Sequence, residues 1–208
     1  MSEPAMATKE PWAALEAALG EEGVLRDSEA CDWYAQDVYS RGEPAAAVLR
    51  PAGTEALQAA VRLSTAAGFA VIPRGGGMSY TSGYVPAGPG SIIIDLGRMN
   101  RVLAVNREDM TVTVECGCTW ASLHEALEAE GLRTPYWGTL SGLKATVGGG
   151  LSQNAIFWGS GQFGSAADSV LSLDVVLADG SLLRTGSAAQ AQASPFFRHF
   201  GPDLTGLF

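Results

Sequence analysis

Basic residues are scarce in this chain: 13 Lys and Arg stand against 22 Asp and Glu, for a net charge of −9. They form no basic cluster, which excludes nucleic acid as the main partner, because a phosphate backbone is bound by grouped positive charge. A small phosphate-bearing ligand stays open, since backbone amides can hold one. Long apolar runs are also missing. None approaches the ~18 residues that a membrane helix requires, so no transmembrane segment is expected. The first eleven residues contain Glu3, Lys9 and Glu10 and have no apolar core, so they do not read as a secretory signal. Cysteine is limited to Cys31, Cys116 and Cys118. An odd count with a single C-x-C pair makes neither a disulfide framework nor a zinc site. Reduced thiols, a cytoplasmic location and no bound metal are the expectation. His124 and His199 are the two histidines, and His124 reads as a surface residue of an amphipathic helix.

What is present is a globular composition, 47% hydrophobic and 17% charged over 208 residues, with glycine in excess at 26. Average glycine usage is ~7%, and the surplus here gathers at 75–90 and 138–164. Residues 10–19 read as a helix with Trp12, Leu15 and Leu19 on one face and Gly20 as its stop. Residues 28–34 read as a second, short one. A polar connection at 34–42, containing Asp37, Ser40 and Arg41, suggests a boundary. It leaves an N-terminal helical segment at 1–42, a main domain at 43–187 and a connection at 188–208. Within the main domain, strands are predicted at 45–49, 69–72 and 91–96, with a helix from Thr54 to about Ala67 and Thr54 as its N-cap. Strand–helix–strand with short connections implies parallel pairing. Later elements change character. Hairpins are predicted at 102–105 with 111–115 and at 171–177 with 181–185, the second turning through Asp179-Gly180. A helix from Trp120, capped by Thr119, lies between them.

The chain is organised around 71–83, V-I-P-R-G-G-G-M-S-Y-T-S-G. Three consecutive glycines discard side chains and admit backbone angles that other residues avoid. At the end of a parallel strand, such a turn can aim several N–H groups at one anion, and phosphate is the usual guest. Arg74 adds positive charge and Ser79, Thr81 and Ser82 add hydroxyls. A flexible Gly/Ser linker is the other reading of the same residues. The second cluster, 135–164, has few charges and many glycines, aromatics and hydroxyls. Thr139, Ser141, Thr146, Ser152, Gln153 and Asn154 offer hydrogen bonds suited to ring edges or ribose, and Gly148, Gly149 and Gly150 let backbone come close. A tightly packed loop is the alternative. Residues 159–164, G-S-G-Q-F-G, match G-x-G-x-x-G, but no clean strand precedes them and only a turn or two follows. A nicotinamide-type dinucleotide fold is therefore disfavoured.

Several of these stretches together resemble a known family. P-R-G-G-G-M-S-Y-T-S-G, I-D-L-G-R-M-N-R-V-L-A-V, T-V-T-V-E-C-G-C-T-W-A-S-L, G-L-K-A-T-V-G-G-G-L-S and A-D-S-V-L-S-L-D-V-V-L-A-D-G are similar, in order and spacing, to the PCMH-type FAD-binding domain of the vanillyl-alcohol oxidase superfamily. The glycolate oxidase and D-lactate dehydrogenase-like FAD-linked oxidases are the nearest in flavour. The resemblance covers about 43–187, and 201–208 resembles the segment that follows this domain there.

It implies an α/β (α+β) fold of two subdomains, a small parallel βαβ lobe and a larger, mostly antiparallel sheet lobe with helices, with FAD between them. It implies that Pro73, Arg74, Gly75, Gly76, Gly77, Met78, Ser79 and Tyr80 cradle the pyrophosphate. Thr139, Ser141 and Gly142 would lie along the isoalloxazine or pyrophosphate side, Gly148, Gly149, Ser152 and Asn154 would continue that wall, Thr146 would be a further cofactor-binding residue, and Val170 would help hold the adenine end. Hydride would pass from a small-molecule substrate, a 2-hydroxy acid or related alcohol, to flavin N5, and electrons onward to oxygen, a quinone or a cytochrome. Met78 stands where some relatives carry a histidine tethered to FAD, so noncovalent FAD is expected. Family members continue into a substrate-binding cap domain. The expectation is therefore a fragment, a truncated product or one subunit of a split enzyme, and the alternative is a non-catalytic flavin- or nucleotide-binding module. No catalytic base is assigned; Tyr80, Tyr136 and Trp137 are candidates for a place near the flavin, and plain packing is the alternative for each.

Overall fold

The computed structural model describes residues 10–135, 141–189 and 203–208. Helix α1 (Trp12–Leu19) buries Leu15 and stops at Gly20, whose φ of 79° is left-handed. Strand β1 (Val24–Leu25) leads into α2 (Ser28–Tyr34), capped by Asp27, whose side chain accepts from the Ala30 N–H at 2.8 Å. Then come β2 (Ala47–Leu49), α3 (Thr54–Ala66), β3 (Ala70–Arg74) and β4 (Ser91–Asp95). Thr54 is the first helical residue of α3, not its cap. Gly53 holds that position in an extended conformation with no side-chain bond, so the Thr54 hydroxyl stands one residue too late to cap.

The strands form one sheet in the order β1-β2-β4-β3. β2 and β3 both run parallel to β4, and β1 adds antiparallel to β2. The two strands joined by α3 are thus parallel but separated by β4. Composition accounts for the order. β4 carries Ile92, Ile93 and Ile94, all at most 1% exposed, as suits a strand covered on both faces. β3 contains Pro73, which has no N–H for a second ladder and sits at the sheet edge. Ile92 and Ile94 face a core with Leu15, Leu49, Ala60 and Val61 under α1 and α3. Ile93 points the other way, to Ala45, Val48, Tyr34 and Ile72, as alternation in a strand requires. Burying one such side chain contributes about 1.5–3 kcal/mol.

Beyond the sheet, β5 (Val102–Asn106) and β6 (Thr111–Val114) pair antiparallel, and β7 (Asp174–Val176) pairs antiparallel with β8 (Leu182–Arg184). Among the described residues these antiparallel strands appear as two separate ladders. Helix α4 (Trp120–Glu128) begins at Thr119, whose Oγ1 accepts from the Ser122 N–H at 3.1 Å. Two short helices follow, α5 (Val147–Ser152) and α6 (Ser160–Phe163). Cys118, Trp120, Leu123, Leu127, Val147, Phe157 and Ala166 make the core here. The β7–β8 turn docks on α3: Gln58 Nε2 donates to the Gly180 carbonyl at 2.9 Å and Thr65 Oγ1 to the Ala178 carbonyl at 2.8 Å.

Candidate cofactor site

The glycine loop leaves the C-terminal end of β3, on the side of a parallel sheet where ligands are commonly held. Three features shape it. The second glycine segment packs directly against it: a Cβ on Gly76 would overlap the Lys144 carbonyl oxygen and lie 3.2 Å from Ala145 N, and one on Gly75 would overlap Thr146 Oγ1. Gly77 has φ +66°, a left-handed turn that glycine adopts without strain. Among the described residues, no backbone N–H from 75 to 80 meets a protein acceptor. Buried or half-buried N–H groups ordinarily find partners. Six in a row on a tight turn form a donor set that fits a diphosphate.

Arg74 lies beneath the loop and is 7% exposed. Its Nη1 donates to the carbonyls of Tyr34 at 3.0 Å and Gln36 at 2.9 Å. Its guanidinium stacks 4.5 Å from the Tyr84 ring centre and 5.3 Å from that of Tyr34. Burial draws its pKa below the ordinary guanidinium value, while Tyr84, Tyr34, Asp95 and Asp37 push back. The guanidinium contacts therefore go to the 34–36 backbone and to rings. Pro73 is exposed on the edge strand and Met78 is half-buried. Ser79 Oγ accepts from Gln153 Nε2 at 2.8 Å, a second link between the two glycine segments. Tyr80 is exposed and meets the Tyr39 ring edge-on at 5.8 Å.

The second segment is tied to α4. The Ser141 carbonyl accepts from the N–H groups of Lys144 and Ala145, the Gly142 carbonyl from Ala121 N–H, and the Ala145 carbonyl from Trp120 N–H. Thr146 is buried and caps α5, its Oγ1 accepting from Gly149 N–H at 3.2 Å. The N–H groups of Val147 and Gly148 go to the carbonyls of Cys118 and Cys116. The first turn of α5 is satisfied by protein, and the open donors lie in the 75–80 loop. Ser152 Oγ donates to the Gly149 carbonyl, and Asn154 is exposed at φ +43°. Val170 ends the 3-10 turn Ala166–Ser169, which packs on α5. Thr139, Tyr136 and Trp137 lie outside the described residues. Gly159 opens only the four-residue helix α6, with no strand ahead of it, so the G-x-G-x-x-G match lacks the strand–turn–helix context of a dinucleotide turn.

The part of the site that sequence reasoning missed is the 34–42 connection. Asp37 Oδ1 accepts from Tyr39 N–H, Ser40 N–H and Ser40 Oγ, and Oδ2 accepts from Ser82 N–H at 2.8 Å. Desolvation opposes its charge, but the donors of Ser40 and Tyr39, joined by Ser82, outweigh it and hold the carboxyl at about 2. The local signal was D-x-x-S, the mark of an Asx-type turn; nothing in it pointed to Ser82.

Among the described residues no cluster of His, Cys, Asp and Glu could hold a metal, and no helix is long and apolar enough to cross a membrane. Known proteins resemble this chain in sequence and in fold. A glycolate oxidase subunit, GlcD, of Bacillus subtilis is 29% identical over 78% of this chain and 33% of its own length. A D-2-hydroxyglutarate dehydrogenase of Xanthomonas citri is 32% identical over 80% of this chain and 35% of its own. This chain thus spans about a third of the length of these curated relatives. The solved 4-ethylphenol oxidase of Gulosibacter chungangensis superposes with a TM-score of 0.78 at 26% identity, over all of this chain and 41% of that one. The family resemblance carried by the motifs and the mixed α/β fold are both shown by these matches. The profile of the family described as FAD binding domain matches residues 45–186, and the chain belongs to that FAD-binding domain family.

Proposed function

We propose that this chain holds FAD noncovalently and forms the cofactor-binding portion of an oxidoreductase acting on a 2-hydroxy acid or a related alcohol. The observation that carries the reading is the run of N–H groups at 75–80, which meet no acceptor among the described residues and are walled by 144–146. In this reading those amides hold the diphosphate, and Gly76 and Gly77 give the backbone its close approach. Lys144, Ala145 and Thr146 fix the opposite wall, and Ser141, Gly142, Ser152 and Asn154 continue it. Bound FAD supplies the two-electron, hydride-accepting chemistry. Met78, whose thioether has no proton to lose on forming a neutral covalent link, supports a noncovalent complex. The substrate class is suggested by the names of the two curated relatives, and substrate contacts would come from a further domain or subunit. A cytoplasmic location is part of the proposal. Burial raises the pKa of the Cys31, Cys116 and Cys118 thiols, which suits inert, reduced cysteines.

The visible spectrum of the purified chain tests the reading. A flavin spectrum released into solution by heat or acid supports it, and a chain that stays colourless after incubation with FAD sinks it. A flavin that no 2-hydroxy acid bleaches anaerobically would leave a cofactor-binding module without its own oxidase activity.

A further inference from the structure

We propose that Asp37, in a segment outside the 45–186 family match, is a positioning residue that fastens the glycine loop in the shape that binds FAD; this rests on the FAD reading above. Among the described residues, the six N–H groups of 75–80 meet no protein acceptor. Within the run, Gly75 and Gly76 lie against the 144–146 wall and Ser79 is held by Gln153 Nε2 and the Tyr84 hydroxyl, while the two ends of the run are fastened separately. The 34–42 connection grips both. At the near end, Arg74 donates to the carbonyls of Tyr34 and Gln36. At the far end, the Ser82 N–H donates to Asp37 Oδ2 and the Ser82 hydroxyl meets Ser40 Oγ at 2.8 Å. Ser82 has φ +59°, a left-handed conformation that costs a non-glycine residue energy and persists when its surroundings enforce it. The Asp37 bond supplies that enforcement. Further along, a Cβ on Gly42 would overlap the Pro86 carbonyl oxygen, so the two segments lie against each other from Asp37 to Gly42. The other oxygen, Oδ1, is engaged within its own turn by Tyr39 and Ser40. The carboxylate therefore joins a locally built turn to the distant loop, one oxygen for each.

Asp37→Asn separates these two roles. Its amide oxygen can keep the Tyr39 and Ser40 donors, while its NH2 would face the Ser82 N–H, donor against donor. The full chain, stripped of flavin, is titrated with FAD by fluorescence, and amide hydrogen exchange at Ser82 is followed in the same preparations. Expected for D37N are FAD affinity weaker by about tenfold or more, the scale of one charged hydrogen bond, and faster exchange at Ser82. The exposed helix variant Glu29→Ala should match the wild type in both. Ser40→Ala, which loses a hydroxyl contact but keeps the carboxylate, should fall between them and serves as the milder variant if D37N folds poorly. Equal FAD affinity in D37N and wild type, or fast Ser82 exchange in the wild type, overturns the proposal. A wild-type chain that takes up no FAD overturns the FAD reading instead, and Ser82 exchange then decides on the clasp alone.

Discussion

Gly76 has no room for a methyl group, because a Cβ there would overlap the Lys144 carbonyl oxygen. Gly83, at the far side of the same loop, would place a Cβ no closer than 3.7 Å to Thr81 Oγ1. The two positions make a matched test. Gly76→Val is expected to push the glycine segments apart and lower FAD affinity by at least about tenfold, the effect of roughly 1–3 kcal/mol of overpacking. Gly83→Ala should leave it unchanged. Flavin-to-protein ratio after gel filtration reads the difference, and circular dichroism checks that both variants fold. At this scale the sequence was informative where the chemistry is local. A triple glycine announces a backbone conformation whatever surrounds it. It was uninformative where a bond joins distant residues. Asp37 and Ser82 lie 45 positions apart, and an aspartate that caps a remote amide looks in sequence like any aspartate in a turn. Arg74 is a further case: its charge reads in sequence as a phosphate ligand, and the bonds to the Tyr34 and Gln36 carbonyls that seat it beneath the loop are marked by no motif.

Elements were legible in kind more than in order. The parallel strands, the Thr119-capped helix and both antiparallel hairpins follow from periodicity and turn chemistry. That β4 enters between β2 and β3 is a tertiary outcome, although the triple isoleucine of β4 and the proline of β3 already carried the physical reason for it. Thr119 shows what one cap contributes. Its Oγ1 accepts from Ser122 N–H, and the residues that follow it donate to the second glycine segment, Trp120 to the Ala145 carbonyl and Ala121 to the Gly142 carbonyl. Thr119→Ala is expected to cost about 1 kcal/mol of unfolding free energy, measured by urea denaturation. It should also loosen the 141–146 wall, seen as a few-fold weaker FAD binding in the same titration. Loss of stability with unchanged FAD affinity would separate α4 from the site.

Across the whole molecule, α2 and the sheet meet at the ligand-facing end through Tyr34. Its hydroxyl donates to Asp95 Oδ2 at 2.6 Å, at the end of β4, and Arg50 approaches the same oxygen at 3.6 Å from the end of β2. Burial, then the bond to Asp95 and the negative charge of Asp95, push the Tyr34 phenol up to about 12, against the pull of Arg50 and Arg74. The sign is set by which state holds the proton more tightly. The folded chain keeps it above the ordinary tyrosine value of 10, so the contribution is complete below pH 10 and is lost as pH rises through about 12. Tyr84, raised by burial beside Arg74, adds to the same slope. Wild-type stability should therefore fall from pH 10 to 12, measured as the denaturant midpoint at each pH. Tyr34→Phe should be less stable at pH 8, where it lacks the Asp95 bond, yet lose less between pH 10 and 12. Because Tyr34 also presents its carbonyl to Arg74 beneath the glycine loop, alkaline release of this contact should loosen the cofactor loop before the sheet. FAD dissociation is then expected to begin at lower pH than global unfolding in the wild type, and the gap between the two transitions should narrow in the phenylalanine variant. Coincident transitions in both proteins would show that the N-terminal segment and the glycine loop yield as one unit with the sheet.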